Sequence, residues 1–229
     1  MLRSAEAGLN ELNTLSLDPV GALKISLPAF LTAGPLSTAI ADFARKHPNV
    51  AFSVSYSDLP LNLVEDRFDM TIRVGWLDDS AMMSRKLADG QRVLVVGTQY
   101  AQARKTPRRP ADLEDWDWIR YQQRADTTQF TSANGEIEKV TGKAQIEVDS
   151  IDAVYHFAVQ NMGATILPSF LAERGIKSGE LTRLLPDWTL RGLGIYAVWP
   201  DKSRRESLTM LFLRFLTEQG LCAPDESDA

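Results

Sequence analysis

The sequence predicts an α/β fold, and the segment from residue 50 to residue 75 is the main reason. Apolar side chains alternate with small ones over 50–56, and apolar side chains alternate again at Met70, Ile72 and Val74, which is typical of half-buried strands. A short helix is predicted between these strands. Ser57 and Asp58 would cap it, and Pro60 would lie in its first turn. Leu61, Val64 and Phe68 would face the sheet. Such a strand–helix–strand unit normally has parallel strands and a right-handed crossover. The carboxyl ends of the strands then form the edge where open α/β sheets bind ligands.

The remaining elements follow from the same periodicities and from residues that begin or end helices. Helices are predicted over 4–15, 35–47, 99–105 (capped by Thr98) and 151–162, with a last helix that is capped by Ser203 and Glu206. Strands are predicted over 21–28, 82–87, 92–97, 117–121, 145–148, 164–167 and 195–199. A hairpin joins 130–132 to 137–140, with Asn134 and Gly135 at the centre of a type I′ turn. Strands that alternate with helices indicate the α/β class.

Composition excludes several classes of protein. A chain of 229 residues with 44% hydrophobic residues can form one or two globular domains. Its net charge of −5 argues against a direct grip on nucleic acid, and the basic residues between Arg104 and Arg109 indicate a solvated loop. Cys222 is the only cysteine, which excludes an internal disulfide and a thiolate metal cage. No apolar run reaches the roughly 18 residues of a membrane span, and the first residues lack the apolar core of a signal peptide.

Catalytic and cofactor motifs are missing from the sequence. His47 stands at the predicted end of a helix, where a charged imidazole complements the helix dipole, and His156 is interpreted as a core or surface residue. No second ligand stands at metal-binding spacing from either histidine, and neither a GxSxG elbow nor a phosphate-binding GxxxxGK[ST] loop is present. We therefore expect a binding module with no catalytic residue, no metal and no cofactor.

Five segments resemble one known family. FDMTIRVG at 68–75 resembles the FDLAIRIG-type segment in the effector-binding domain of LysR-type transcriptional regulators. Four further segments resemble the same domain in the same order, namely GALKISLP, LVVGTQYAQARKTPRRPADLEDWDWIRY, DAVYHFAVQNMGATILPSFLAERG and IYAVWPDKSRRESLTMLFLRFL. The family's GxGI pattern is represented by Gly163-Ala164-Thr165-Ile166. Five matches in one order make the resemblance specific.

The resemblance implies a fold of two Rossmann-like lobes, periplasmic-binding-protein-like (type 2), with a ligand cleft at a two-strand hinge. Lobe I would comprise 20–97 and 197–222, and lobe II 98–196. Residues 1–19 would be the end of a linker helix and a linker, and 223–229 a tail. The implied function is that of an effector-sensing domain, which binds a small molecule between the lobes and transmits the change through a dimer.

The implied partners follow from this function. The chain would form a homodimer through helices 35–47 and 151–162, where Ala39, Ala44, Ala153 and Val159 lie beyond the core-facing stripe. Higher oligomers are expected in the full-length protein. That protein would touch DNA only through a winged helix–turn–helix domain preceding the linker, without any membrane contact, in the bacterial cytoplasm. A free-standing solute-binding protein of a transport system is the alternative, and an enzyme ranks lowest because no acid–base pair stands out.

Polar and aromatic residues at the predicted strand ends form the candidate effector site. The set comprises Pro28, Phe30, Ser57, Asp58, Gly75, Trp76, Gln122, Gln123, Ser150 and Ile151, with Asp149 beside Ser150. Ser57 and Ser150 are the strongest candidates, because each stands before a helix whose free N–H groups also suit a ligand. Helix capping alone is the alternative for these serines, and core packing is the alternative for Phe30 and Trp76. Asp58 would oppose an anion, which favours a cation, a sugar or another neutral polar effector.

Overall fold

The computed structural model describes residues 19–59, 63, 65–76, 82–200 and 207–221. The predicted linker helix at 4–15, the capping box of Ser203 and Glu206, and Cys222 lie outside the described residues. The chain folds into two compact units, each held together by contacts among its own residues. The first unit is Met1–Asp89 with Gly194–Ala229, and the second unit is Gly90–Leu193.

The first unit is built on a five-stranded sheet of order β2-β1-β3-β13-β4. Its strands are β1 (Gly21–Leu27), β2 (Val50–Tyr56), β3 (Met70–Gly75), β4 (Met83–Gly90) and β13 (Leu193–Trp199). Strand β1 pairs in parallel with both β2 and β3, and β13 runs antiparallel to β3. The parallel pairing confirms the α/β prediction, because parallel strands need crossover connections.

Two helices pack on this sheet through a cluster of aromatic rings. They are α1 (Pro35–Lys46) and α5 (Leu208–Glu218), and a 3₁₀ turn at Ala29–Leu31 follows β1. Phe43 of α1 is fully buried, and its ring meets the edges of Phe52, Phe212 and Phe215 at centroid distances of 5.7, 5.2 and 5.3 Å. These contacts join α1, β2 and α5 into one core, since edge-to-face rings pack well at such distances.

The helix predicted between β2 and β3 is not formed by the described residues of that segment. Leu63 and residues 65–67 lie in turns, and Arg67 adopts a left-handed backbone with φ 56°. The N–H of Phe68 donates to the carbonyl of Leu63 at 3.0 Å. Leu63 and Phe68 are nevertheless buried against Val198. Leu63 and residues 65–67 are therefore turns where a helix was predicted, and the predicted helix positions Pro60, Leu61 and Val64 lie outside the described residues.

The second unit contains a five-stranded sheet and a small three-stranded sheet. The larger sheet has the order β11-β5-β10-β6-β9 and the smaller has the order β12-β7-β8. The bounds are β5 (Arg92–Gly97), β6 (Asp117–Tyr121), β7 (Thr127–Ser132), β8 (Ile137–Thr141), β9 (Lys143–Val148), β10 (Ala164–Pro168), β11 (Leu181–Arg183) and β12 (Trp188–Leu190). β10 is parallel to β6 but antiparallel to β5.

The helices of the second unit differ in part from the predicted ones. They are α2 (Thr98–Gln102), α3 (Ile151–Val159) and α4 (Ser169–Ser178), with a 3₁₀ helix at Pro110–Leu113. α3 ends before residue 162 because Asn161 turns left-handed, with φ 62°. Helix α4 was not predicted from the sequence, although Leu171, Ala172 and Gly175 are buried at helical spacing and Gly179 forms its left-handed C-cap.

Two local predictions in the second unit were wrong. Thr98 does not cap α2, because it is the first residue of the helix and Gly97 holds the N-cap position, while the Thr98 hydroxyl donates to the carbonyl of Gly179 at 2.7 Å. The β7–β8 hairpin is present, but Gly135 donates to the carbonyl of Ser132 at 3.0 Å. Asn134 and Gly135 are therefore not the two central residues of that turn. Asn134 also lacks the positive φ that a type I′ turn requires.

Strand β5 lies in the second sheet, whereas the family resemblance had placed residues 90–97 in lobe I. It pairs with β10 and β11, and the division between the units falls after Asp89. The apolar sequence of β5 predicted an interior strand, and β5 does lie between two neighbours. An apolar run indicates burial on both faces, but it does not indicate which sheet the strand joins.

Candidate functional site

The predicted residues of the first unit follow strands that end at one edge of the sheet. Leu27 at the end of β1 lies opposite Tyr56 at the end of β2, and β3 continues in the same direction to Gly75. Pro28, Ser57 and Trp76 therefore follow three parallel strands at the same edge. This is the edge at which open α/β sheets bind ligands.

Asp58 has a structural role at this edge. Its Oδ1 accepts a hydrogen bond from the backbone N–H of Ala29 at 2.8 Å. Ser57 also links the strands, because its N–H donates to the carbonyl of Leu27 at 2.9 Å. The Ser57 hydroxyl accepts from the N–H of Leu59 at 3.2 Å, which stabilises a turn. The Asp58 carboxylate and the backbone N–H of Ser57 together hold the loops after β1 and β2 side by side.

The two predicted aromatic residues differ in exposure. Phe30 is partly buried and packs against the core of the first unit. Trp76 is 45% exposed and follows Gly75, whose φ of 150° is accessible mainly to glycine. Trp76 is therefore the aromatic ring that a ligand at this edge can reach, whereas Phe30 supports the core.

The predicted residues of the second unit also share one sheet edge. The parallel strands β6 and β9 end together, since Tyr121 lies opposite Val148, and the N–H of Gln122 donates to the carbonyl of Val148 at 2.8 Å. The side chains of Gln122 and Gln123 are exposed there. β10 runs parallel to β6 and ends at the same edge.

Ser150 and Ile151 begin helix α3 at this second edge. The Ser150 hydroxyl accepts from the N–H of Ala153 at 3.4 Å, which makes Ser150 the N-cap of the helix. Ile151 is only 2% exposed, so its side chain belongs to the protein interior. Any contact of Ile151 with a ligand would therefore be through its backbone N–H.

Two arginines that the sequence patterns did not single out lie near the same edge. Arg92 begins β5 and lies opposite Pro168 at the end of β10, since these strands are antiparallel. Burial, together with the charges of Arg124 and Arg191, lowers the pKa of Arg92 to about 10. Arg124 follows β6 closely in the chain. Its position after a strand was the available signal, but burial of the guanidinium is a tertiary property that the sequence does not display.

The two histidines lie on different helices. His47 is the C-cap of α1, with its ring 4.5 Å from the ring of Phe43, while His156 is exposed on α3. The described residues contain no group of three or more His, Cys, Asp or Glu side chains that could hold a metal ion. In the same part of the chain, no helix is long and apolar enough to cross a lipid bilayer.

A family model described as the LysR substrate binding domain matches residues 17–221. The chain belongs to this family. It is the effector-binding domain of a LysR-type transcriptional regulator, as the five sequence segments indicated. The match extends over both units of the structure.

Curated relatives of this effector-binding domain are transcriptional regulators. The chain is 31% identical over 219 residues to the HTH-type transcriptional regulator PtxR of Pseudomonas aeruginosa, and the match covers 95% of this chain and 70% of PtxR. It is 22% identical to the HTH-type transcriptional activator AaeR of Escherichia coli K12, with 95% of this chain and 71% of AaeR covered. These relatives do not favour the alternative of a transport protein.

Solved structures of the same family share the fold. The regulatory domain of CrgA from Neisseria meningitidis matches with a TM-score of 0.75 and 23% identity, covering 88% of this chain and 99% of that domain. The full-length virulence activator AphB of Vibrio cholerae matches with a TM-score of 0.77 and 21% identity, covering 96% of this chain and 75% of AphB. The predicted periplasmic-binding-protein-like α/β fold is therefore confirmed.

Proposed function

We propose that this effector-binding domain senses a small polar molecule at the carboxyl-terminal strand edges of its units and transmits binding through a homodimer. Membership of the LysR family and the gathering of Ser57, Trp76, Gln122 and Ser150 at two such edges support the proposal. A ligand shifts a conformational equilibrium only by its difference in affinity for the two states. The ligand cleft at a two-strand hinge stays a prediction.

The proposal extends to how the regulator reaches DNA. With a net charge of −5, this chain has no electrostatic advantage on a phosphate backbone, which needs clustered Lys and Arg. DNA contact is assigned to the helix–turn–helix domain of a full-length regulator, acting in the cytoplasm without catalysis. An electrophoretic mobility shift at physiological salt with this chain alone should give no complex, and a specific complex would contradict the assignment.

Ser57 and Ser150 are the residues that test the sensing site. A thermal-unfolding screen of small polar compounds first identifies a ligand by the rise in Tm that it produces. The variants Ser57→Ala and Ser150→Ala are then measured with and without that ligand. Ser207→Ala is the matched control, because the Ser207 hydroxyl caps α5 through the N–H of Met210 at 3.3 Å.

All three variants should lose about 1 kcal/mol of unfolding free energy, since each deletes one local hydrogen bond to a backbone N–H. The ligand-induced rise in Tm should fall in Ser57→Ala and Ser150→Ala but persist in Ser207→Ala. An undiminished rise in both site variants would reduce these serines to caps of local structure. The search for the ligand contact would then move to Trp76.

A further inference from the structure

A small cavity lies within the second unit, on the sheet strands β6 and β10. Its volume is about 40 Å³, and its lining includes Trp118, Tyr121, Arg124, Thr128 and Thr165. A cavity of about 10–15 Å³ is enough to hold one water molecule. The cavity therefore has room for a group of a few heavy atoms, such as a carboxylate or a small oxyanion.

Arg124 brings an unsatisfied charge to this cavity. Its Nε and Nη1 atoms are buried, and neither has a hydrogen-bond partner among the described residues. Burial lowers the pKa of Arg124, and the nearby Tyr121 partly offsets this effect. An arginine side chain nonetheless remains protonated in proteins, and an acceptor in the cavity would satisfy N–H donors that buried groups normally have paired.

The acidic residues around the cavity do not neutralise Arg124. Asp126 lines the cavity, but its Oδ1 pairs with Nη1 of Arg120. Glu147 pairs with Nη2 of the same arginine. The positive charge of Arg124 also repels the positive charge of Arg92 and helps to lower the pKa of Arg92. Three arginines, Arg92, Arg120 and Arg124, stand against the two carboxylates of Asp126 and Glu147, so the charge of this group is positive, which attracts an anion.

We propose that this cavity is an anion site in which Arg124 binds a carboxylate or a small inorganic oxyanion. The guanidinium fork suits these groups, because it presents two edges of parallel N–H donors, Nε with Nη2 and Nη1 with Nη2, and each edge can reach two oxygens of one anion. Assigning the anion to the effector itself rests on the proposed sensing function. The sequence favoured a neutral or cationic effector because of Asp58, but that carboxylate belongs to the first unit and accepts the N–H of Ala29.

Thermal unfolding of the whole chain tests the proposal. Sodium formate, acetate, nitrate and phosphate are titrated separately, with sodium chloride holding the ionic strength constant. The variants are Arg124→Gln, which removes the charge, and Arg124→Lys, which keeps the charge but loses the fork. Arg183→Gln is the matched control, since Arg183 is an exposed arginine on β11 of the same unit.

Wild type and Arg183→Gln should show a saturable rise in Tm of about 3–6 °C at roughly ten times the dissociation constant. Arg124→Lys should need a higher anion concentration, and Arg124→Gln should show no rise. In chloride alone, Arg124→Gln should unfold at the wild-type Tm or above it, because a buried charge without a partner is costly. A response to formate and acetate only would assign the site to a carboxylate ligand, and a response to nitrate or phosphate only would assign it to an inorganic ion.

Two results would overturn the anion site. One is a wild-type chain with no saturable response to any of the four anions. The other is an Arg124→Gln variant that keeps the full response, since the anion would then bind elsewhere. Neither result would contradict the sensing function if the compound screen finds a neutral ligand whose effect depends on Ser57 or Ser150.

Discussion

Gly163 sets the backbone path into strand β10. Its φ is 139°, and a Cβ atom at this position would lie 2.5 Å from the carbonyl oxygen of Asp117. Both the conformation and the close approach to β6 require glycine. This explains why a glycine opens the segment Gly163-Ala164-Thr165-Ile166, the counterpart of the family's GxGI pattern.

Gly163→Ala should therefore cost at least the roughly 1–3 kcal/mol of a strained backbone, with an added penalty for displacing β6. Gly135→Ala is the control, because Gly135 has φ 85° but a Cβ atom added there would have no neighbouring atom within 4 Å. Urea denaturation of both variants measures the difference. Equal losses would mean that the contact with Asp117 relaxes without cost.

Tyr100 anchors helix α2 to the start of β6. Its hydroxyl donates to Oδ2 of Asp117 at 2.8 Å and accepts from the N–H of Asp117 at 3.0 Å. The guanidinium of Arg104 lies 4.4 Å from the centre of the Tyr100 ring and also reaches Asp117. Burial is the main cause that raises the pKa of the Tyr100 phenol, and the hydrogen bond to the Asp117 carboxylate adds to it.

Tyr100→Phe should lower the unfolding free energy by about 1–2 kcal/mol, because the N–H and the carboxylate of Asp117 both lose a partner. The raised pKa of the Tyr100 phenol makes the unfolding free energy depend on pH. The contribution of Tyr100 is complete below the unfolded-state pKa of about 10 and is lost as the pH rises through the folded-state pKa. Urea denaturation from about pH 8 to about pH 11 should show a steeper decline in wild type than in Tyr100→Phe. Parallel profiles would contradict this assignment.

Phe43 is the largest of the side chains that helix α1 buries in the core of the first unit. The ring is fully buried and meets aromatic rings from β2 and α5, so its removal opens a cavity between three elements. Phe43→Ala should cost about 3–5 kcal/mol. Phe170→Ala is the control at 46% exposure, and it should change stability by about 0.5 kcal/mol or less.

Thermal or urea unfolding of the two phenylalanine variants provides the measurement. A loss of unfolding free energy below about 1 kcal/mol for Phe43→Ala would contradict this expectation. It would mean that α1 and α5 move together and fill the cavity, whereas cores usually relax only in part. Similar losses of unfolding free energy in the two variants would show that the burial of the deleted phenyl ring does not determine the loss.

The predicted dimer surface needs one correction at Ala39. This residue is only 3% exposed and packs in the core of the first unit, so it is not available to a partner. Ala44 on α1, and Ala153 and Val159 on α3, are partly exposed and stay candidates. Small side chains at a contact allow two helices to approach closely.

Sedimentation equilibrium at micromolar concentrations should give a dimer for the wild-type chain. Val159→Glu should shift the equilibrium toward monomer, because a charge is costly in the centre of an apolar interface. Gln129→Glu is the control, since Gln129 is exposed on β7. A wild-type monomer would contradict the proposed dimer, and an unaffected Val159→Glu would move the interface away from α3.

Much of the secondary structure and the family could be predicted from local patterns in the sequence. Strands β1, β2, β5 and β6 and helix α1 lie where alternation, helical spacing and proline positions placed them. The five family-like segments led to the correct α/β fold. Local patterns succeed here because capping, side-chain periodicity and backbone preference act over a few residues.

Long-range pairing and burial account for what local patterns did not predict. The apolar run of β5 was recognised, but its membership of the second sheet depends on hydrogen bonds to β10 and β11 far along the chain. In the described part of the segment after Asp58, turns at Leu63 and residues 65–67 stand where a helix was expected, and Leu63 and Phe68 are buried there. In the sequence Arg124 resembles any polar loop residue, and only the folded chain buries its Nε and Nη1 atoms beside a cavity. A sequence specifies which groups can be buried, whereas the free energy of burying a charge depends on the neighbours that the fold supplies.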